Sequence, residues 1–210
     1  MIKRNEIKYP IIRGEGPRIR IILNRLDFSE VYPPRIVTSL YFDYPSLRFF
    51  RESEEGLTPR IKIRTRWYGK GRLGWEHSLF EIKYTLQDHR RKMSTPIDSI
   101  KGNASSHFRK VQNGEILPQI YVRYLRRYFE DAKGNRVTLD TDIRYSLVGH
   151  TTNWKKLVAP MSVAVDPMEV VEFKFFSNTS SLIALDNFSL QQGRFSKYCS
   201  GLSLLMAWSH

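Results

Sequence analysis

Charged side chains recur at every second position in several short segments of the sequence. Arg60–Tyr68 carries arginine or lysine at positions 60, 62, 64 and 66, with apolar residues or threonine between them. The pattern Glu-x-Lys occurs three times between apolar residues, at Glu6-Ile-Lys8, Glu81-Ile-Lys83 and Glu172-Phe-Lys174. Arginine binds phosphate through paired donors, lysine acts as a mobile point charge, and carboxylates bind Mg²⁺ or Mn²⁺. Together, these residue types could bind a polyphosphate ligand and a divalent metal ion.

A two-residue period is that of a β-strand, in which successive side chains point to opposite faces. One further strand face would carry Tyr124, Arg126 and Tyr128, and another would carry Arg136, Thr138, Asp140 and Asp142. The residues alone allow two arrangements: an open sheet with an exposed charged face, or a closed antiparallel barrel of about eight strands that encloses the charges. Because enclosed cations repel one another, such a barrel would bind polyanions.

The acidic residues within these cationic segments are the candidate metal ligands. Mg²⁺ and Mn²⁺ are characteristically bound by one or two carboxylates together with substrate phosphates. Glu172 is the first candidate, followed by Glu6 and Glu81. The alternative for each glutamate is an ion pair with a neighbouring lysine or arginine.

Strand signals outnumber helix signals along the chain. Strands are predicted at residues 3–10, 35–43, 60–68, 78–85, 120–130, 135–140, 143–148, 162–165 and 170–176, with a hairpin turn at 131–134. Helices are predicted near residues 19–26, 45–53, 97–113, 179–187 and 195–208. The charge run at 88–92 is interpreted as a solvated turn, with a funnel for polyanions as the alternative. The predicted fold class is therefore α+β, mainly β.

Composition limits the class of protein. The 210 residues include 34 basic and 21 acidic side chains, a net charge of +13, and 41% apolar residues, which is enough for a core. The length predicts a single domain over residues 1–210. No apolar run is long enough to span a bilayer, and one cysteine excludes an internal disulfide. We therefore expect a soluble, cytoplasmic protein, with peripheral association at a membrane left open.

The basic charge predicts a polyanionic partner, for which nucleic acid, a phospholipid surface and a polyphosphorylated ligand are the choices. A solvated basic surface is the alternative. Acidic residues placed among the cations, such as Glu6, Glu81 and Glu172, argue against nucleic acid because they would repel its backbone.

Eight short motifs occur in the order found in the VTC domain. They are Arg-Asn-Glu-Ile-Lys-Tyr (4–9), Ser-Leu-Tyr-Phe-Asp (39–43), Lys-Ile-Arg-Thr-Arg-Trp-Tyr-Gly (62–69), Phe-Glu-Ile-Lys (80–83), Tyr-Leu-Arg-Arg-Tyr (124–128), Arg-Val-Thr-Leu-Asp (136–140), Val-Glu-Phe-Lys (171–174) and Phe-Ser-Lys-Tyr (195–198). The chain thus resembles the catalytic module of vacuolar transporter chaperone polyphosphate polymerases, within the CYTH-like triphosphate tunnel metalloenzyme superfamily. The resemblance implies a closed, eight-stranded antiparallel tunnel barrel with flanking helices.

The resemblance also implies an activity: transfer of the γ-phosphate of ATP to a growing polyphosphate chain, with release of ADP and with Mn²⁺ or Mg²⁺ as cofactor. Polyphosphate or pyrophosphate would be the second substrate, and a membrane-protein partner is left open. The residues implied as catalytic are Lys8, Arg64, Arg66, Arg126 and Lys197. Those implied for substrate binding are Lys62, Lys83, Tyr124, Arg136 and Lys174, and the metal would be bound by Glu172 with Glu6 and Glu81.

One position departs from the pattern of the superfamily. Hydrolytic members typically carry Glu-x-Glu-x-Lys on the first strand, whereas this chain has Arg4 at the first of those places. A cation in place of a metal-binding acid disfavours a two-metal, water-activating hydrolase. The alternatives are a triphosphatase on the same barrel and a non-catalytic module that binds polyphosphate or inositol phosphates.

Overall fold

A computed structural model describes residues 5–69, 78–86, 89–99, 106–148, 164–175 and 190–207. Its strands are β1 (Asn5–Ile12), β2 (Ser29–Asp43), β3 (Arg60–Tyr68), β4 (Leu79–Leu86), β5 (His89–Pro96), β6 (Leu117–Glu130), β7 (Arg136–Leu147), β8 (Ala164–Val165) and β9 (Met168–Phe175). Its helices are α1 (Gly16–Arg25), α2 (Arg48–Glu54), α3 (Ser106–Gln112) and α4 (Lys197–Ala207), with a 3₁₀ turn at Ile97–Ser99. The predicted α+β, mainly β class is confirmed.

The strands pair in the order β1-β9-β7-β6-β2-β3-β4-β5, and β8 pairs with β7. In the described residues the sheet therefore has two ends, β1 and β5. The prediction of a closed eight-stranded barrel was therefore wrong, because nine strands form one sheet and its two end strands are not paired with each other in the described residues. The physical reason is that a two-residue period fixes the face on which each side chain lies but not the tilt and stagger that closure requires.

Strand β5 was missed because of its charge. Residues 88–92 had been interpreted as a solvated turn, yet His89–Pro96 pairs along its length with β4. Arg91 and Lys92 are exposed, and the strand ends at a proline. Charged side chains and proline are features by which edge strands avoid pairing with other chains, so the composition of β5 suits its position.

One compact unit is formed by Met1–Ile36, Tyr124–Ile143 and Val165–Ser196. Its core has apolar side chains from one face of β1, β7 and β9 packed against one face of α1: Tyr9, Ile11, Val137, Leu139, Val171 and Phe173 from the strands, and Ile19, Ile22 and Leu23 from the helix. Burial of each large apolar side chain contributes about 1.5–3 kcal/mol. Glu6, Lys8, Arg136, Glu172 and Lys174 therefore lie on the face opposite to this core, whereas Glu169 lies on the core side and accepts from the Gly16 N–H.

The other compact unit is formed by Val37–Arg123, Arg144–Ala164 and Lys197–His210. Its core joins the apolar faces of β2, β3 and β4 to α2 and α3, and includes Leu40, Phe42, Phe49, Ile63, Trp67, Phe80, Ile82, Phe108 and Val111. Helix α4 approaches β6 and β7 so closely at Gly201 that a Cβ there would overlap the side chains of Ile120 and Tyr145. The predicted helix at 195–208 is confirmed as α4, which positions Lys197 at its first residue.

Two predicted features fall outside the described residues, namely the helix at 179–187 and Arg4. Residues 135–140 and 143–148, which were predicted as two strands, form the single strand β7 with Asp142 at a positive φ of 49°. In the described part of the chain, no helix has both the length and the apolar character needed to cross a membrane.

Candidate active site

The first unit contains a square of alternating charges on β1 and β9. Lys8 lies opposite Glu172, and Glu6 lies opposite Lys174. The Lys8 Nζ is 3.7 Å from Glu6 Oε1 and 4.0 Å from Glu172 Oε2, and the Lys174 Nζ is 2.8 Å from Glu172 Oε1. Burial raises the pKa of Glu172, but Lys174, Lys8 and Arg126 outweigh that effect and lower the pKa to about 2. Glu172 is therefore ionised at neutral pH, in the form that binds cations.

Arg126 of β6 contacts a carboxylate, that of Asp140, and an aromatic ring, that of Tyr124. Its Nε and Nη2 donate to the two carboxylate oxygens of Asp140 at 2.6 and 2.7 Å, and its Cζ lies 5.2 Å from the centroid of the Tyr124 ring. Burial lowers the pKa of Arg126, but Asp140 raises it by more, so the guanidinium remains charged. The bidentate pair fixes the orientation of a cation that could bind phosphate with its remaining donors.

Arg136 and Lys174 bring two positive charges together across neighbouring strands. They lie directly opposite in the pairing of β7 with β9. Arg136 is exposed and its Nε donates to Glu130 Oε2 at 3.0 Å. Each of the two cations also pairs with a carboxylate, Glu130 for Arg136 and Glu172 for Lys174, and the role of both in substrate binding stays a prediction.

The residues around Glu172 fit a metal ion that takes further ligands from a substrate. The Thr138 Oγ1 is buried without a hydrogen-bond partner among the described residues, and Thr138 lies opposite Glu172 in the sheet. No group of three or more His, Cys, Asp or Glu side chains able to hold a metal occurs in the described ranges. One carboxylate and a hydroxyl suit Mg²⁺ or Mn²⁺ bound mainly through phosphate oxygens and water, rather than in a protein cage.

In the second unit, Glu81 of β4 holds the arginines of β3. Its Oε2 accepts from Arg64 Nε at 2.6 Å and lies 3.8 Å from Arg66 Nε, and its Oε1 pairs with Lys92. Burial raises the pKa of Glu81, but Arg64, Arg66 and Lys92 outweigh it and lower the pKa to about 2. Both oxygens of Glu81 contact cations, as both oxygens of Glu172 do, so Glu81 is ion-paired in the structure and its role as a metal ligand stays a prediction.

Three lysines form a row across the same unit. Lys62 of β3 lies opposite Lys83 of β4, and Lys83 lies opposite Lys92 of β5. The three cations share one strand face, Lys92 also pairs with Glu81, and a polyanion lying along this face would be attracted to all three. Lys62 and Lys83 thus share the strand face that also carries Arg64, and their role in substrate binding stays a prediction.

Alternate residues at the end of β2 contact the arginines and were missed as site residues. Arg64 Nη1 donates to the Tyr41 hydroxyl at 2.9 Å, and Arg66 Nε donates to Ser39 Oγ at 3.2 Å. Burial raises the pKa of Tyr41, but Arg64, Arg66 and Lys197 together lower it to about 8. The structure thus places the charge of Lys197, a predicted site residue, close enough to act on Tyr41.

Asp43 and Tyr198 contact each other, and Tyr198 packs against the Tyr41 ring. The Tyr198 hydroxyl donates to Asp43 Oδ2 at 2.6 Å, and the Tyr198 ring stacks on Tyr41 with centroids 5.2 Å apart. The Asp43 carboxylate also accepts from the backbone N–H groups of Phe49 and Phe50, at the start of α2. Burial raises the pKa of Asp43 and, with Asp43 nearby, that of Tyr198. The network ties β2, α2 and α4 into one support for Tyr41.

The predicted site residues thus form two groups. The first unit contains Glu6, Lys8, Tyr124, Arg126, Arg136, Glu172 and Lys174, and the second contains Lys62, Arg64, Arg66, Glu81, Lys83 and Lys197. The missed residues are Asp140, which orients Arg126, and Ser39, Tyr41, Asp43 and Tyr198. The alternation of Ser39, Tyr41 and Asp43 along β2 was the sequence signal that could have identified three of them.

The sequence matches the VTC domain family over residues 3–206. A candidate adenylate cyclase from Vibrio parahaemolyticus is 13% identical with a TM-score of 0.53, and the alignment covers 95% of this chain and 97% of that one. A candidate adenylyl cyclase from Hippeastrum, described as having a dominant triphosphatase activity, is 13% identical with a TM-score of 0.53 and coverages of 95% and 96%. A protein from Pyrococcus horikoshii is 14% identical with a TM-score of 0.50 and coverages of 96% and 99%. No curated protein matches the chain. At these identities the solved structures share the fold.

Proposed function

The chain belongs to the VTC domain family, and on that basis we propose that it is a polyphosphate polymerase. It would transfer the γ-phosphate of ATP to a growing polyphosphate chain and release ADP. The observation that carries the proposal is the way in which the arginines are held. The side chains of Arg64, Arg66 and Arg126 are 12%, 8% and 14% exposed. Arg64 and Arg126 donate to the buried carboxylates of Glu81 and Asp140, and Arg66 donates to Ser39 and lies 3.8 Å from Glu81.

Fixed cations suit phosphoryl transfer because this reaction needs little covalent help from the protein. It requires the reacting phosphates to be in line and their charge to be neutralised. Asp140 and Glu81 orient the arginines before substrate binds, so little reorganisation accompanies the reaction. The attacking group would be a phosphate of the growing chain, which is already ionised and needs no general base.

Glu172 would bind the metal ion, with Thr138 beside it and the substrate phosphates supplying further oxygens. The bound ion would neutralise charge on the transferring phosphoryl group. Lys8 and Lys174, which contact Glu172 and the neighbouring Glu6, would bind phosphate oxygens around it. These residues orient the substrate and screen its charge.

A triphosphatase is the second candidate, because the similar Hippeastrum protein is described as having that activity. The two reactions use the same cations and metal and differ in the group that attacks the γ-phosphate. Arg4 replaces an acid that is typical of the hydrolytic relatives, which supports the polymerase as the first choice.

The test is to incubate the purified protein with ATP, Mn²⁺ and pyrophosphate as primer, and to measure ADP, free phosphate and acid-labile polyphosphate separately. We expect each ADP to be matched by one phosphate in polymer, and chelation of the metal to stop the reaction. One free phosphate per ADP, with no polymer, would establish the triphosphatase. If ATP is not consumed but polyphosphate binds tightly, the protein is a binding module.

A matched pair of variants tests whether the described cations are responsible. Arg126→Ala should lower both binding and transfer, because a charge-assisted contact of about 1.5–3 kcal/mol is lost. Arg123→Ala removes an exposed arginine from the same strand and should leave both unchanged. Equal effects of the two variants would contradict the assignment of the site to Arg126.

A further inference from the structure

One face of β6 becomes more exposed toward the end of the strand. Tyr124, Arg126 and Tyr128 alternate along the strand and so share this face. Tyr124 is 2% exposed, the Arg126 side chain is 14% exposed, and Tyr128 is only partly buried. A chain of phosphates that contacts Arg126 would therefore reach solvent in the direction of Tyr128.

An exposed aromatic ring lies at this end of the face. Tyr32 of β2 is 53% exposed and meets the Tyr128 ring edge to face, with centroids 5.9 Å apart and an interplanar angle of 87°. The Arg35 Cζ lies 5.6 Å from the centroid of the Tyr32 ring. Pro33 and Pro34 follow Tyr32 directly, and their fixed φ angles restrict the backbone that carries the ring.

An aromatic ring with a guanidinium beside it is the surface on which nucleobases stack. Such stacks gain from the apolar face of the base and from the cation near the ring, and they accept any base because each base has a π face. Edge-to-face contact with Tyr128 and the stiff backbone keep the Tyr32 ring in place before the ligand arrives. Tyr128 lies two residues beyond Arg126 on the same face of β6, and the Tyr32 ring contacts Tyr128, so the base of a nucleotide whose phosphates bind Arg126 would lie against Tyr32.

We propose that Tyr32, supported by Tyr128 and Arg35, is the stacking platform for the nucleobase of the donor nucleotide. The inference rests on the proposed function, because it names the part of the site that binds the non-phosphate end of the donor. It explains how a site built from phosphate-binding cations distinguishes a nucleoside triphosphate from inorganic tripolyphosphate. Since the contact is stacking, ATP and GTP should both bind more tightly than tripolyphosphate.

The experiment compares ATP with tripolyphosphate by isothermal titration calorimetry, in EDTA so that turnover is stopped. Wild-type protein should bind ATP more tightly than tripolyphosphate. Tyr32→Ala should weaken ATP binding by about tenfold, which is the size expected for loss of one base–aromatic stack, and leave tripolyphosphate binding unchanged. Tyr32→Phe keeps the ring and should retain ATP affinity. Tyr68→Ala removes another exposed tyrosine and serves as the matched control.

The outcomes separate this inference from the proposed function. If wild-type protein binds ATP and tripolyphosphate equally, or if Tyr32→Ala weakens both by the same factor, the platform is refuted while the phosphate site stands. If neither ligand binds to the wild-type protein, either in EDTA or with Mn²⁺ added, the proposed function and the platform both fail. A loss of ATP affinity in Tyr68→Ala as large as that in Tyr32→Ala would also overturn the platform, because it would show a non-specific effect.

Discussion

Arg126 and Asp140 are joined by two hydrogen bonds of 2.6 and 2.7 Å, one from each side of the guanidinium fork, and the Asp140 side chain is 1% exposed. The pair spans the two strands of a hairpin, β6 and β7, whose turn is closed by Asp131 accepting from the backbone N–H groups of Lys133 and Asn135. The turn thus fixes the register that brings Arg126 and Asp140 together. The orientation of the arginine is therefore a property of the fold and does not depend on a ligand.

Asp140→Asn should strongly destabilise the protein. It removes the charge of a buried partner and leaves the Arg126 cation uncompensated, which costs about 3–5 kcal/mol of unfolding free energy. Urea denaturation measures this loss. Asp142→Asn is the matched control, because that side chain is 47% exposed and lies 3.6 Å from an exposed Arg13, a pair worth less than about 1 kcal/mol. Similar losses in the two variants would show that the bidentate pair has no special role.

Glu81 should make the stability of the protein depend on acid pH. Its pKa is about 2 in the folded protein against 4.5 for the unperturbed group, so its contribution is complete above pH 4.5 and is lost as the pH falls toward 2. Glu81→Gln should lower stability at neutral pH and reduce the pH dependence in that window, with part of it remaining from Glu172. Urea titrations at several pH values measure both effects. Glu54→Gln alters an exposed residue of α2 and should change neither the stability nor its dependence on pH. If the stability of Glu81→Gln depended on pH as steeply as that of the wild-type protein, the prediction would be contradicted.

Tyr41 should titrate below the ordinary range of a tyrosine hydroxyl. Its pKa is about 8 because Arg64, Arg66 and Lys197 outweigh its burial, so the near-ultraviolet absorbance of tyrosinate should rise near that pH in wild-type protein and not in Tyr41→Phe. Tripolyphosphate bound beside Arg64 and Arg66 should raise this pKa, because it offsets the cations. Reciprocally, polyphosphate binding should weaken as the pH rises through 8. A titration unaffected by tripolyphosphate would place the anion away from these arginines.

The sequence was informative about strand faces and less so about closure and supporting residues. The alternation in β3 correctly separated Arg64 and Arg66 from Ile63 and Trp67, because strand geometry alone decides which side chains share a face. The closed barrel came from family resemblance, and periodicity could not test it. Asp43 and Tyr198 were missed because 155 residues separate them, and only the packing of α4 brings them into contact.

Polyphosphate should stabilise the protein by binding to the row formed by Lys62, Lys83 and Lys92. A ligand that binds only the folded state, at about 100 times its Kd, adds roughly 2.7 kcal/mol, or about 5–10 °C in Tm for a chain of this size. Tripolyphosphate should exceed sulfate at equal ionic strength, as differential scanning calorimetry would show. Lys83→Gln should shrink the shift, because Lys83 lies between Lys62 and Lys92, whereas Lys133→Gln in the β6–β7 turn should not. Equal shifts with both anions would indicate general screening.

Glu172→Gln should separate metal-dependent turnover from anion binding. The amide is nearly isosteric but is neutral and a poor ligand for Mg²⁺ or Mn²⁺, so we expect ADP formation with Mn²⁺ to fall to background. Tripolyphosphate binding in EDTA should become tighter, because removal of one negative charge beside Lys8, Lys174 and Arg126 strengthens their attraction for phosphate. Calorimetry measures the binding, and Glu54→Gln, which alters an exposed carboxylate at the end of α2, is the control for turnover. If Glu172→Gln loses tripolyphosphate binding together with turnover, Glu172 maintains the arrangement of the cations and the metal is bound elsewhere.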